Sequence, residues 1–227
     1  MTSNSESKIE KHEAVEKRPE FLRMIFDNRD PLEVPISAWV EYGLKDGLHL
    51  PESVLQELSE IAARAVWRGK ALGYLNHRPR TKAEVVRYLI GKGAFPEVAQ
   101  QVVRSLEADG YLSDKQYAAQ FVQTYAAKSS RREMAWKLSQ RGVSTSATEK
   151  AFNDKEIYEG ELAAAVKTAE KTLRAVKAGD PQAIRQKVWN RLLRKGFSIE
   201  TARTALNLVR SEMQSIAQSE FLDNDWE

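Results

Sequence analysis

The sequence contains no cysteine. That excludes a disulfide framework, a thiolate zinc site, an iron–sulfur cluster and a cysteine nucleophile. Its three histidines, His12, His49 and His77, lie far apart, with no neighbour at metal-ligand spacing. No run of about 18 apolar residues occurs, so no membrane-spanning helix is expected. The first twenty residues are polar and hold no apolar signal core, so the expected compartment is the cytoplasm. Nucleotide-binding loops of the GxxxxGK[ST] and GxGxxG types are missing, as is HExxH. Glu156, Glu159 and Glu161 form a small acidic group without a fourth acid or a histidine to complete a metal site. The expectation is a non-enzyme with no cofactor, no metal and no small-molecule substrate.

What the sequence has in quantity is charge, and the charge is segregated. Residues 61–210 carry 28 Lys/Arg against 14 Asp/Glu, whereas residues 1–60 carry 7 against 13. Residues 211–227 carry five acids and no base. A basic block between acidic ends suits a polyanion or an acidic protein partner. With 227 residues, 42% of them hydrophobic, the chain is long enough to bury a core unaided.

Residues 1–20 read as a disordered polar tail, poor in apolar residues. Residues 21–60 read as a small mixed element. FLRMIF is a short apolar run, PLEVP and GLHLP suggest extended pieces, and ISAWVEYGL suggests a helical turn or two capped by Ser37. From Pro51 onward the periodicity is helical. Ser or Thr three residues before Glu or Gln marks helix starts at Thr81/Glu84, Ser113/Gln116, Ser130/Glu133 and Ser146/Glu149. Asp180–Pro181 marks another start, and Gly93, Gly142 and Gly196 mark helix ends.

Alignment on those glycines exposes a repeat: VVRYLIGKG (85–93), MAWKLSQRG (134–142) and VWNRLLRKG (188–196). Each has an apolar residue eight before the glycine, a leucine four before it (Leu89, Leu138, Leu192) and a base directly before it. An apolar residue follows within two positions (Phe95, Val143, Phe197), and a helical pattern lies on either side. The unit is therefore a three-helix module occurring three times. One such module is marginal alone, and stacked neighbours bury the remaining apolar faces. The expected fold is all-α: three tandem three-helix modules in an elongated, curved array, with a small mixed N-terminal element. The expected segments are 1–20 tail, 21–60 N-terminal element, 61–110, 111–153 and 154–212 modules, and 213–227 acidic tail.

ALGYLNHRPRTKAEVVRYLIGKG (71–93), LEADGYLSDKQYAAQFV (106–122), RREMAWKLSQRGV (131–143) and RKGFSIETARTAL (194–206) together resemble the RecX regulatory proteins. VEYGLKDGLHL (40–50) is similar to an N-terminal element of some members. In the family pattern a phenylalanine directly follows the first module's glycine; here Ala94 stands between Gly93 and Phe95. The resemblance implies three tandem three-helix modules. It also implies a binding regulator that lodges in the groove of the RecA–DNA filament and dampens ATP hydrolysis, strand exchange and RecA-promoted self-cleavage of repressors, in recombinational repair and the SOS response. The implied partners are the RecA filament and single- and double-stranded DNA, held through phosphates by a monomer that touches no membrane. Two rival readings are an autonomous DNA-binding protein with helix–turn–helix-like modules and a purely protein–protein scaffold.

On a helical wheel of the middle helix of each module, positions seven and eight before the glycine fall on the core side with the leucine. Positions five and one before the glycine fall on one flank and hold Tyr88 and Lys92, Lys137 and Arg141, then Arg191 and Lys195. The expected contact residues are the five bases among these (Lys92, Lys137, Arg141, Arg191 and Lys195) together with Arg78, Arg80, Lys82, Arg87, Arg131, Arg132, Arg185, Lys187 and Arg194. Bases near a helix C-terminus also complement its dipole, whatever else they do. Trp67, Trp136, Trp189, Tyr74, Tyr111 and Phe121 are expected in the core, although Trp136 lies off the core side of its wheel. Phe221, Leu222 and Trp226 belong to the acidic tail, which is expected to be disordered.

Overall fold

The computed structural model describes residues 6–153, 155–176, 180–211 and 214. The acidic tail expected over 213–227 therefore lies almost wholly outside the described residues. The chain divides into two compact units. The first runs as far as Pro79 and resumes over Val85–Leu112, and the second takes Arg80–Glu84 and the chain from Ser113 onward.

The first unit opens with an antiparallel sheet of β1 (Ser7–Ala14), β2 (Phe21–Phe26), β3 (Leu32–Pro35) and β4 (His49–Leu50), in the order β3-β2-β1-β4. This corrects the expectation of disorder over residues 1–20 as far as the described residues, 6–20, are concerned. In β1 only Ser7 and Ile9 point inward, so its composition looks unstructured. The strand exists because β2 and β4 pair with it on both sides, through Ile9 with Phe26 and Ser7 with Leu50. The extended readings of PLEVP and GLHLP correspond to β3 and β4, and the apolar run FLRMIF forms β2. The helical turn α1 (Ile36–Glu41) has Pro35 as its cap residue with no side-chain hydrogen bond, so Ser37 is not the cap.

α2 (Glu52–Leu75) is 24 residues long, about 36 Å at 1.5 Å per residue. It serves two cores. Leu55, Leu58 and Ala62 pack with Ile9, Met24, Phe26 and Val34 of the sheet. Ala71, Leu72 and Leu75 pack with α3 (Lys82–Gly91) and α4 (Pro96–Ala108), against Leu89, Val102 and Leu106. The first module thus has no boundary at residue 61, because one continuous helix closes both cores.

The second unit holds α5 (Asp114–Tyr125), α6 (Arg131–Gln140) and α7 (Thr145–Ala151) around Phe121, Val122, Met134 and Leu138. It also holds α8 (Lys155–Leu173), α9 (Pro181–Arg194) and α10 (Ile199–Leu208) around Leu173, Val188, Leu192 and Phe197. α7 is capped by Ser144, whose Oγ accepts the Ala147 N–H, so Ser146 is not its cap. Among the described residues no helix is long and apolar enough to cross a membrane.

The three aligned glycines end α3, α6 and α9 with the same turn. Gly93, Gly142 and Gly196 have φ of 99°, 82° and 85°, a region that costs an L-residue with a side chain. In each case the residue after the glycine donates its N–H to the repeat leucine: Ala94 to Leu89 O, Val143 to Leu138 O, Phe197 to Leu192 O. Each glycine donates to the residue three before it. This is the Schellman pairing, which satisfies two orphan carbonyls and tucks the residue after the glycine against the helix. Ala94, Val143 and Phe197 are accordingly buried. The first module's equivalent of Val143 is therefore Ala94 and not Phe95, which stands 75% exposed. Tyr111 and Trp136 also stand out from the surface instead of joining the core.

A second regularity lies within the second unit. The Thr81 hydroxyl donates to the Arg141 carbonyl at 2.6 Å, and the Lys82 N–H to Asp114 at 2.9 Å. One repeat later the Ser130 hydroxyl donates to the Lys195 carbonyl at 2.7 Å, and the Arg131 N–H to Glu161 at 2.8 Å. The cap and first residue of one middle helix are thus held by the end of the next middle helix and by a carboxylate on the helix preceding it. The third repeat has Asp180 capping Ala183 N–H, followed by Pro181. Proline has no N–H to satisfy, so the series of paired donors stops there.

Candidate functional site

α9 shows most plainly how the sequence separates core from surface. Ile184, Val188 and Leu192 are buried at intervals of four, one stripe of a 3.6-residue period. Lys187, Arg191, Arg194 and Lys195 are exposed on another side. Arg191 and Arg194 occupy the last turn, where a cation offsets the partial negative charge of the helix end. That local benefit does not need four bases on a single face.

The face borders two grooves of the second unit. One, of about 320 Å3, runs between α9 and α8 and is lined by Lys171, Lys187, Arg191 and Arg194 together with Thr168 and Thr172. No carboxylate lines it. The other, of about 760 Å3, lies between the end of α9 and α6. Arg132, Glu133 and Trp136 form one wall, and Arg194, Lys195 and Gly196 form the other. Its only acid, Glu133, accepts from Lys137 Nζ at 2.7 Å. Arg194 lines both grooves. Such a concentration of one sign attracts an approaching anion.

The other expected contact residues are distributed differently. Arg131 is engaged in the fold: its Nε lies 3.2 Å from a carboxylate oxygen of buried Glu161, and its guanidinium lies over Phe152 at 5.7 Å. Arg141 lies over the Phe121 ring at 4.8 Å. Lys137 is taken up by Glu133 and lies 5.9 Å from the Tyr125 ring. Arg78, Arg80 and Lys82 all make intramolecular interactions. Arg87 on α3 and Lys92 directly after that helix are exposed, with the Lys92 ammonium 5.9 Å from Tyr88, itself stacked on Tyr74 at 4.0 Å. Arg185 sits apart from the α9 face, beside Arg210 in a shallow groove with Gln182. The structure therefore gathers Arg132, Lys187, Arg191, Arg194 and Lys195, and adds Lys171 and Trp136, which the sequence reading did not assign to a surface. For Trp136 the signal was present: at ~100° per residue it lies about 160° from Leu138.

Among the described residues no group of three or more His, Asp or Glu is placed to hold a metal ion. The acid with a defined task is Glu161, which binds the backbone and side chain of Arg131.

Comparison with known proteins bears on this arrangement. Residues 68–106 match the family model for the first three-helix domain of RecX, and residues 159–206 that for the third. The chain is 28% identical over 211 residues to the regulatory protein RecX of Streptococcus sanguinis, covering 92% of this chain and 80% of that protein. It is 27% identical over 221 residues to that of Bacillus licheniformis, covering 96% and 84%. Among solved structures, a crystal structure of regulatory protein RecX superposes with a TM-score of 0.77 at 24% identity over 88% of this chain and 99% of the other. RecX from Lactobacillus salivarius superposes with a TM-score of 0.59 at 23% identity, over 65% and 96%. Two domain matches in the right order and relatives spanning nearly the whole chain make this protein similar to the RecX regulatory proteins along most of its length.

Proposed function

We propose that the protein is a binding regulator of the RecA–DNA filament that lowers the recombinase's ATP hydrolysis, strand exchange and co-protease activity. The observation that carries this reading is the basic face of α9, continued by Lys171 and Arg132 into two grooves whose only acid is already neutralised. The relatives that span this chain are named regulatory proteins, not enzymes, which supports action by binding. Phosphate contacts by Lys and Arg do not depend on sequence, and they weaken steeply with salt. The filament offers phosphates at a regular spacing, so a single basic face can engage it without base readout.

The test is the single-strand-dependent ATPase of RecA with and without this protein. Inhibition near stoichiometric ratios at moderate salt is expected. Reversing Lys187, Arg191, Arg194 and Lys195 together to Glu should cut the inhibitory potency at least tenfold and flatten the salt dependence of DNA binding by about three in slope. Absence of inhibition by the unaltered protein would overturn the proposal. A preference in the thousands for one duplex sequence over random duplex would instead favour an autonomous sequence-reading DNA binder.

A further inference from the structure

Trp136 stands 61% exposed in the wall of the groove between α6 and α9. An indole is a large apolar surface, and leaving it exposed on a folded helix forgoes burial the rest of α6 obtains through Met134 and Leu138. Its surroundings are cationic. Arg132 lies one turn before it on α6, while Arg194 and Lys195 face it from α9. Glu133 is held by Lys137, so it does not oppose an incoming anion.

Those features select a ligand. A purely acidic peptide such as polyglutamate would use the cations and leave the flat indole unmatched. Duplex DNA offers phosphates, but its base faces are stacked on one another. A single strand alternates phosphates with free aromatic faces, and proteins that hold single strands pair a positive groove with an exposed ring on which a base stacks. The groove's 760 Å3 also lies in the size range of small-ligand sites.

We infer that the α6–α9 groove binds single-stranded DNA, with an unpaired base stacked on Trp136 and the flanking phosphates held by Arg132, Arg194 and Lys195. This deepens the proposed function, because it names the strand that the basic face of the second unit takes. The stacking site discriminates single strand from duplex, which a purely phosphate-based surface does not.

The experiment contains no recombinase, so its outcome is independent of the ATPase test. Binding of a fluorescein-labelled 20-nucleotide oligothymidine and of a 20-base-pair duplex is measured by anisotropy at low salt. The full chain is compared with Trp136→Ala and Trp136→Phe. Trp136→Ala should weaken oligothymidine binding about tenfold, within the usual range for one lost stacking platform, and shift duplex binding less than twofold. Trp136→Phe keeps an aromatic face and should retain most of the affinity. Oligothymidine should quench tryptophan fluorescence in the unaltered chain, and the quenched fraction should vanish in Trp136→Phe. Equal weakening toward both nucleic acids, or no change toward the single strand, would overturn the inference. So would polyglutamate that binds with the same dependence on Trp136. Melting curves of both variants confirm that each is folded.

Discussion

Replacing Gly142 with alanine should destabilise the second unit by about 3–5 kcal/mol, more than the same change at either of the other two repeat glycines. Two costs combine. Gly142 has φ of 82°, where an L-residue with a side chain loses about 1–2 kcal/mol. The new methyl would also overlap the Ala83 methyl in the first turn of α3. That turn would have to withdraw, stretching the bond from Thr81 Oγ to the Arg141 carbonyl and that from the Lys82 N–H to Asp114, each worth about 1 kcal/mol. Gly93 is the internal control. Its φ is 99°, but nothing lies within 4 Å of an added methyl, so Gly93→Ala should show the backbone cost alone. Gly196→Ala falls between, because Arg132 Cβ and Ser130 Oγ approach its added methyl at 3.0 Å. Urea unfolding of the three variants checks the order. Adding Ala83→Gly to Gly142→Ala removes the overlap and should restore part of the loss, even though glycine weakens a helix by about 1 kcal/mol. Three equal losses would mean that the first turn of α3 is not held as described.

The repeat was readable because each of its skeleton positions has a local physical reason. Leu89, Leu138 and Leu192 are all fully buried, and each of the glycines adopts the positive φ that a helix-ending turn requires. The caps at Ser113, Ser130 and Asp180 are likewise local and are present. What the sequence concealed depends on partners distant in the chain. β1 is a strand because residues near 25 and 50 pair with it, not because of its own composition. α2 crosses the expected boundary at residue 61 because two separate cores recruit its two halves. The substitution of Ala94 for a phenylalanine is absorbed by a small buried turn, and the aromatic one position later is released to the surface. The candidate site was legible in α9, where four bases share a face of one helix. Its extension to Lys171 and Trp136 needs α8 and α6 brought alongside, which no local pattern states. Conversely Arg131 and Arg141 satisfied the expected pattern, yet are occupied by Glu161 and Phe121.

Glu161→Ala should lower the melting temperature by roughly 5–10 °C. Glu161 is 2% exposed, and its carboxylate accepts the Arg131 N–H at 2.8 Å while lying 3.2 Å from Arg131 Nε. The Arg131 side chain is 40% exposed, so the charge–charge part is weakened by solvent. The backbone bond carries the larger share, since its loss leaves a donor at the start of α6 without a partner, at about 1–3 kcal/mol. For a chain of this size each kcal/mol moves the melting temperature by about 2–4 °C. Glu161→Gln retains a carbonyl oxygen for the Arg131 N–H and should lose only about 2–4 °C. Equal losses in the two variants would assign the effect to the ion pair instead. Pro181 supplies the contrast. It occupies the place of Arg131 in the next repeat and has no N–H, so no carboxylate is required of any following helix. Because Pro181 is exposed, Pro181→Ala would present its new N–H to water and should shift the melting temperature by less than 2 °C, within the range of ordinary surface changes. The carboxylate is therefore needed where the first residue of a middle helix presents an N–H, as at Lys82 and Arg131, and not where that residue is proline.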